Sequence, residues 1–193
     1  MKKQNFNIVI VGVGGQGLIT LTKILAEAAK DEGYDIRTSE LHGLSQRGGS
    51  VETLIRFGKK VWSPLVIQGG ADLIIALEVQ ESLKSCYYAS EEKTIFLVND
   101  YFKSIPGKEL LQKEAVLKEL EKFSKETILM PASNIAKEKI GKEVLSGVLL
   151  VSSSAFQKLI PLKPESILKS IKKIIPEKYL EMNMKAFNLA EII

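Results

Sequence analysis

Three observations in this sequence predict an α/β protein with a mostly parallel sheet, helices on both faces and a helical C-terminal region. Ile8-Val9-Ile10-Val11 is apolar without alternation, as in a strand buried on both sides. Gly12-Val13-Gly14-Gly15-Gln16-Gly17 follows at once, and Leu18, Leu21, Ile24, Leu25 and Ala28 then recur at the spacing of one helix face. The buried-strand pattern returns at Leu73 to Leu77, Thr94 to Val98 and Thr127 to Met130, each followed by helical periodicity. A strand, a glycine-rich turn and a helix in that order make the fold Rossmann-like.

The context gives the glycines separate expected roles. Gly12 makes the tight turn, Gly14 lets a ligand approach the backbone, Gly15 loosens the turn, and Gly17 lets the helix pack on the strand. The helix N-terminus behind Gln16 and Gly17 offers unpaired N–H groups and partial positive charge to a phosphate or carboxylate. Asp35 to Ser39 reads as the second strand, and Glu40 falls at its end, about twenty residues past the glycines, where a nucleotide-binding fold places a carboxylate for a ribose. The plain alternative is a turn built for packing that binds nothing.

A second loop, Glu40-Leu41-His42-Gly43-Leu44-Ser45-Gln46-Arg47-Gly48-Gly49, is less generic. Arg47 is a permanently charged fork of donors; with Ser45, Gln46, Gly48 and Ser50 beside it, the loop is suited to an anion or an acidic surface. His42 is the chain's one histidine, and with one cysteine it cannot complete an ordinary zinc site, which takes about four ligands. Structural hydrogen bonding and a binding role are both open to it.

Composition excludes several classes. With 193 residues, 45% hydrophobic and 26% charged, the chain is long enough for a packed core and is predicted to form one domain, 1–193. The net charge of +4 comes from lysines such as Lys118, Lys122 and Lys137 alternating with glutamates such as Glu119, Glu121 and Glu138, which is a solvated face and not a nucleic-acid groove. Lys169, Lys172 and Lys173 share a helix with Ile167, Leu168, Ile171 and Ile174, an amphipathic helix with a basic outer face. No apolar stretch approaches the ~20 residues of a membrane span, and the single Cys86 excludes disulfides within the chain, so a cytoplasmic protein is expected.

The remaining elements follow from local signals. Val51 to Phe57 reads as a strand that turns at Gly58-Lys59-Lys60 into a return strand at Val61-Trp62, with Trp62 covering the sheet edge. Ser63-Pro64 has the order of a helix start, giving a short turn through Ile67 before Gly69-Gly70. Glu78 ends the Leu73 to Leu77 strand and Asn99-Asp100 ends the next, so all three are candidates for the crevice at the strands' carboxyl ends. Cys86 sits among Val79 and Leu83 on a helix face, as a small core residue. Residues 107–124 read as a charged helix, Ser133-Asn134 as the opening of a helix to Ile140, and 143–160 as a helix apolar all round, with Ser152-Ser153-Ser154 suited to close packing. Pro161 and Pro164 separate it from the amphipathic helix, and Pro176 starts a last one with Leu180, Met184 and Phe187.

No Cys-x-x-Cys, His-Glu-x-x-His or nucleophile-elbow serine occurs. A nucleotide-like cleft without reactive machinery favours a binding subunit over a complete enzyme.

The two glycine loops, Ser63-Pro64-Leu65, and Gly70-Ala71-Asp72 through Glu78 together resemble the gamma-type domain of 2-oxoacid:ferredoxin oxidoreductases. The closing Asn183-Met184-Lys185-Ala186-Phe187-Asn188-Leu189 is similar to the end of one branch, the small (beta) subunits of indolepyruvate ferredoxin oxidoreductases. The likeness covers essentially the whole chain, and Glu-x-His-Gly-x-Ser-Gln-Arg is its most specific part. It implies a heteromeric enzyme that decarboxylates an aryl 2-oxoacid oxidatively, reduces ferredoxin and yields an acyl-CoA. Thiamine diphosphate with its magnesium and the 4Fe-4S clusters would then reside on a large subunit. One cysteine cannot ligate a cluster that needs about four thiolates, and no Gly-Asp-Gly followed by asparagine is present for a metal diphosphate. Under this resemblance the Gly12–Gly17 loop and Arg47 either receive phosphates of coenzyme A or dock the large subunit.

Two other functions compete. A stand-alone NAD(P)- or flavin-dependent oxidoreductase would use Gly12, Gly14, Gly17 and Glu40 as a dinucleotide site, leaving the second loop unexplained. A purely structural subunit would carry a vestigial cleft.

Overall fold

The computed structural model describes residues 5–42, 49–103 and 111–193. Its sheet has six strands in the order β2-β3-β1-β4-β5-β6. β1 (Asn5–Val13), β4 (Leu73–Ala76), β5 (Ile95–Asn99) and β6 (Glu126–Met130) run parallel. β3 (Ser50–Gly58) is antiparallel both to β1 and to β2 (Asp35–His42). The mostly parallel α/β fold is therefore as expected, with one reversed strand near its edge.

Alternation along β1 feeds two cores. Ile8 and Ile10 join Ile55, Phe57, Ile75 and Leu97 on one face, while Val9 and Val11 join Leu54, Ile74, Phe96 and Val98 on the other. On the first face lie α1 (Leu18–Asp31), α4 (Ala132–Ile140), α5 (Ser146–Phe156), α6 (Pro164–Ile174) and α7 (Glu177–Ala190). On the second lie α2 (Val79–Ser82), a 3₁₀ turn over Leu83–Tyr88, and α3 (Lys113–Glu121). Strands buried from both sides explain why β1, β4 and β5 read as unbroken apolar runs.

Individual helices follow their sequences. The predicted stripe of α1 is fully buried, and its acids Glu27 and Asp31 pair with Lys173 and, at 2.8 Å, with Lys169 of α6. The basic outer face of α6 is thus partly spent on a helix neighbour. α5 is buried on every side, and Gly147 at its start lies so near α1 that a Cβ there would meet Leu21 Cδ1 at 2.6 Å.

Several boundaries differ from expectation. No return strand forms at Val61-Trp62, because β3 already has β1 and β2 on its two edges; Trp62 is 82% exposed and covers no edge. No helix starts at Ser63-Pro64: the Ser63 and Leu65 carbonyls each accept from Arg56 Nη1 at 2.9 Å, and so point at a side chain instead of up a helix axis. The apolar 143–160 segment is a short 3₁₀ turn, Glu143–Leu145, and then α5, which stops at Phe156. Of the charged helix expected over 107–124, the described part is helical only from Lys113 to Glu121, and 107–110 lie outside the described residues.

Candidate functional site

The carboxyl ends of β1, β4 and β5 meet at the glycine loop. Gln16 organises it: its Oε1 accepts from the Val13 N–H at 2.8 Å and its Nε2 donates to the Leu77 carbonyl at 3.0 Å, tying β1 to the end of β4. Gly12 is needed for that clasp, since a Cβ there would stand 2.6 Å from Gln16 Oε1 and 3.1 Å from Leu77 Cβ. Gly15 and Gly17 have φ of +100° and +81°, and a Cβ at either would touch nothing within 4 Å. Gly17 is therefore required by its left-handed backbone at the start of α1, not by the helix-on-strand packing expected of it.

The donors on offer are specific. The Gly14 N–H is engaged by the Gly49 carbonyl at 2.8 Å, and the Gln16 N–H by the Val13 carbonyl at 3.2 Å. The N–H groups of Thr20 and Leu21 turn back to the Gly17 carbonyl. Those of Gly15, Gly17, Leu18 and Ile19 have no acceptor among the described residues, and they form the positive end of the α1 dipole. Lys103, after β5, brings its ammonium to 3.5 Å from the Gly14 carbonyl. This donor set suits an oxyanion such as a phosphate.

Carboxylates frame the opposite rim. Glu78 caps α2 by accepting the Glu81 N–H at 2.8 Å and also accepts the Lys103 N–H at 3.3 Å. Burial pushes its carboxyl above the ordinary range, and those two N–H groups partly oppose the shift. Glu81 accepts from Ser50 Oγ at 2.5 Å and from Lys84 at 2.6 Å. Asn99 is consumed structurally: its Nδ2 donates to Leu77 O and Ser133 Oγ, and its Oδ1 accepts the Ser133 N–H. Asp100 pairs with Lys113 at 3.0 Å. Tyr101 bonds Glu143, and its phenol is pushed up by burial first and by that carboxylate second.

Below the loop, between α1, the 142–148 segment and the α6–α7 junction, lies a groove of about 590 Å³. Gln16, Gly17 and Thr20 form its upper wall, and Leu145, Val148, Ile175 and Met182 supply apolar sides. It was invisible in the sequence because its walls come from helices more than a hundred residues apart.

Glu40 does not sit where a ribose carboxylate would. It faces Thr53 on β3, which in turn faces Ile10 on β1, so a whole strand intervenes. Two strand spacings put it roughly 10 Å from β1. The ribose analogy needs β1 and β2 to be neighbours, and the insertion of β3 removes that premise. His42 ends β2 opposite Val51, one step from the Gly12–Val51 pair. Ser45, Gln46, Arg47 and Gly48 lie outside the described residues; the Gly14–Gly49 bond shows that the second loop's far end meets the first. Cys86 is half-buried and burial pushes its thiol up to about 11, as suits a packing residue.

Comparisons with known proteins agree with this geometry. The family model "Pyruvate ferredoxin/flavodoxin oxidoreductase" matches residues 7–191. The chain is 35% identical over 189 residues to indolepyruvate oxidoreductase subunit IorB of Archaeoglobus fulgidus, covering 95% of this chain and 92% of that one. It is 30% identical to the pyruvate/ketoisovalerate oxidoreductases common subunit gamma of Pyrococcus furiosus, over 91% and 89% of the two chains. Among solved structures, the keto/oxoacid ferredoxin oxidoreductase gamma subunit of Geobacter sulfurreducens superposes with a TM-score of 0.71 at 23% identity, over 97% and 96% of the chains. A 2-oxoglutarate:ferredoxin oxidoreductase of Magnetococcus marinus, with 2-oxoglutarate, coenzyme A and succinyl-CoA bound, has a TM-score of 0.72 at 14% identity; the match spans 99% of this chain and 31% of the longer one. A glycine loop clasped by Gln16 at the head of a mixed sheet, matched nearly end to end by a family model and by curated relatives, places this chain in the pyruvate ferredoxin/flavodoxin oxidoreductase family.

Proposed function

We propose that this chain is the accessory subunit of a thiamine-diphosphate-dependent 2-oxoacid:ferredoxin oxidoreductase whose substrate is an aryl 2-oxoacid such as indolepyruvate. The observation that carries the reading is the near-full-length likeness, at 35%, to a subunit named for indolepyruvate. In the overall reaction the 2-oxoacid loses carbon dioxide, its acyl carbon is bonded to the thiol sulfur of coenzyme A, and the electron pair released reduces ferredoxin. The 4Fe-4S clusters belong on a larger subunit, since one cysteine in 193 residues cannot supply about four thiolates, and thiamine diphosphate with its magnesium belongs there too, since no Gly-Asp-Gly followed by asparagine occurs here.

The residues of this chain fit coenzyme A better than they fit a cluster. Its phosphates match the N–H groups of Gly15, Gly17, Leu18 and Ile19, which no described residue engages, with Lys103 adding positive charge nearby. Bound there, coenzyme A would supply the thiol that accepts the acyl group. Arg47 either adds to that phosphate site or docks the larger subunit. A stand-alone NAD(P) or flavin enzyme is disfavoured because β3 separates Glu40 from the loop.

Anaerobic affinity purification from the native cell, with identification of co-purifying protein, thiamine and iron, tests the assignment. Ferredoxin reduction dependent on coenzyme A should be faster with indolepyruvate than with pyruvate. A chain recovered alone with a nicotinamide or flavin nucleotide would overturn it. Arg47→Ala in the assembled enzyme raises KM for coenzyme A if Arg47 binds phosphate, and lowers recovery of the complex if it docks.

A further inference from the structure

The groove beneath the glycine loop has no part in the functional reading above. At about 590 Å³ it falls within the range of small-molecule sites, roughly 300–1,000 Å³. Leu145, Val148, Ile175 and Met182 give it apolar sides, and few polar groups interrupt them.

Asn183 is the most telling of those groups. It is 5% exposed and lines the groove from α7, together with Tyr179 and Met182 on the preceding turn. Its Nδ2 donates to the Tyr179 carbonyl at 2.8 Å. Because a carbonyl takes only a donor, that bond fixes the amide and leaves Oδ1 as the spare end. No described residue donates to Oδ1. Ser152 Oγ is the one sealed side-chain polar atom without a partner among the described residues, so Oδ1 is not sealed, and it opens on the groove that Asn183 lines. An acceptor in so buried a side chain calls for a donor from whatever fills the groove. Thr20, half-buried on the α1 side, adds a hydroxyl that no described residue engages.

Charge sets the second requirement. Lys23, one turn past Thr20 on α1, and Lys142 are the charged residues of the lining, and no carboxylate stands among them. On the neighbouring α6, Lys169 and Lys173 are held by Asp31 and Glu27, whereas neither Lys23 nor Lys142 meets a carboxylate among the described residues. An apolar slot with two unspent cations and one buried acceptor selects a carboxylate on an apolar body that carries a hydrogen-bond donor. We propose that this groove binds an arylalkyl carboxylate with a ring N–H, the N–H donating to Asn183 Oδ1 and the carboxylate set toward Lys23 and Lys142. The choice of ring rests on the functional reading, under which indolepyruvate and indole-3-acetate, the free acid of its acyl product, both belong to this class.

Calorimetric titration of the full chain with indole-3-acetate, repeated on the assembled enzyme, tests the site. Saturable binding of one molecule per chain is expected, with 1-methylindole-3-acetate about tenfold weaker because Asn183 Oδ1 is then left unpaired. Asn183→Ala should erase that preference. Lys23→Glu with Lys142→Glu, both exposed, should leave the melting curve nearly unchanged and weaken indole-3-acetate several-fold, less so at high salt, while the neutral indole-3-acetamide is unaffected. Tighter binding of indolepyruvate makes the substrate the occupant, and the reverse order makes it the product acid; either supports the site. A folded wild-type chain that does not bind indole-3-acetate saturably overturns the inference, as does binding indifferent to ring methylation and to both lysines. Binding by the chain that vanishes in the assembled enzyme also overturns it, since the partner then covers the groove. An assembled enzyme that reduces ferredoxin with indolepyruvate but fails these titrations loses only the groove site, whereas one inactive on indolepyruvate overturns the functional reading.

Discussion

Gln16 and Gly12 should behave as one unit, and a double-mutant cycle reads that out. Gln16→Ala leaves the Val13 N–H without its acceptor, whereas the Leu77 carbonyl keeps the Asn99 Nδ2 donor at 3.1 Å. One orphaned buried donor costs about 1–3 kcal/mol. Gly12→Ala puts a Cβ 2.6 Å from Gln16 Oε1, so the amide must swing away and the same hydrogen bond is lost. With Gln16 already truncated, only the 3.1 Å approach to Leu77 Cβ remains, costing about 1 kcal/mol or less. The two substitutions should therefore be sub-additive by about 1–2 kcal/mol in urea unfolding with unchanged m-values. Gln16→Glu sharpens the test, because the carboxylate keeps the acceptor for Val13 but sets a negative oxygen against the Leu77 carbonyl. That repulsion favours the protonated form in the folded state and raises the folded pKa, so the destabilisation is full at pH 7 and fades as pH falls through that pKa. Additivity within about 0.5 kcal/mol, or a Gln16→Glu variant as stable as wild type at pH 7, would refute the clasp.

Other consequences follow from single contacts. Asn99→Ala strips the Ser133 N–H of its acceptor in a fully buried setting and should cost about 2–4 kcal/mol by denaturant unfolding, with Asn99→Asp recovering part through its retained acceptor. Gly147→Ala crowds Leu21, and the overpacking of about 1–3 kcal/mol outweighs the roughly 1 kcal/mol that alanine gains in a helix; the loss should shrink in a Leu21→Val background. Cys86, pushed up to about 11 from 9.0, should alkylate at pH 8 about a hundredfold more slowly in the folded chain than in urea. Because the unfolded thiol ionises first as pH rises, stability from this group is intact below pH 9 and declines between 9.0 and about 11, measurable as a falling denaturation midpoint.

Local pattern carried most of the architecture. β1, β4 and β5 were legible because burial on both faces demands unbroken apolar runs, and α1 because its stripe repeats at the helical period. The glycine loop was legible as a strand-to-helix turn for the same reason. Gln16 was visible in the motif, but its clasp on Leu77, 61 residues away, was not. The single cysteine, the missing catalytic spacing motifs and the family likeness are properties of the amino-acid sequence alone, and the likeness agrees with the family match over residues 7–191.

Tertiary structure decided what periodicity does not encode. A strand's residues record how deeply it is buried, not which strand lies beside it, so the reversed β3 between β1 and β2, and with it the displacement of Glu40, came only from long-range pairing. The same holds for segment 59–70, where Ser63-Pro64 carries a helix-start signal worth about 1 kcal/mol. Arg56, fixed on β3 with Asn7 beside it, captures the Ser63 and Leu65 carbonyls, and charged hydrogen bonds of that kind outweigh a local propensity. The sequence determined which residues are buried and which turns need glycine; the sheet determined which of those turns face one another.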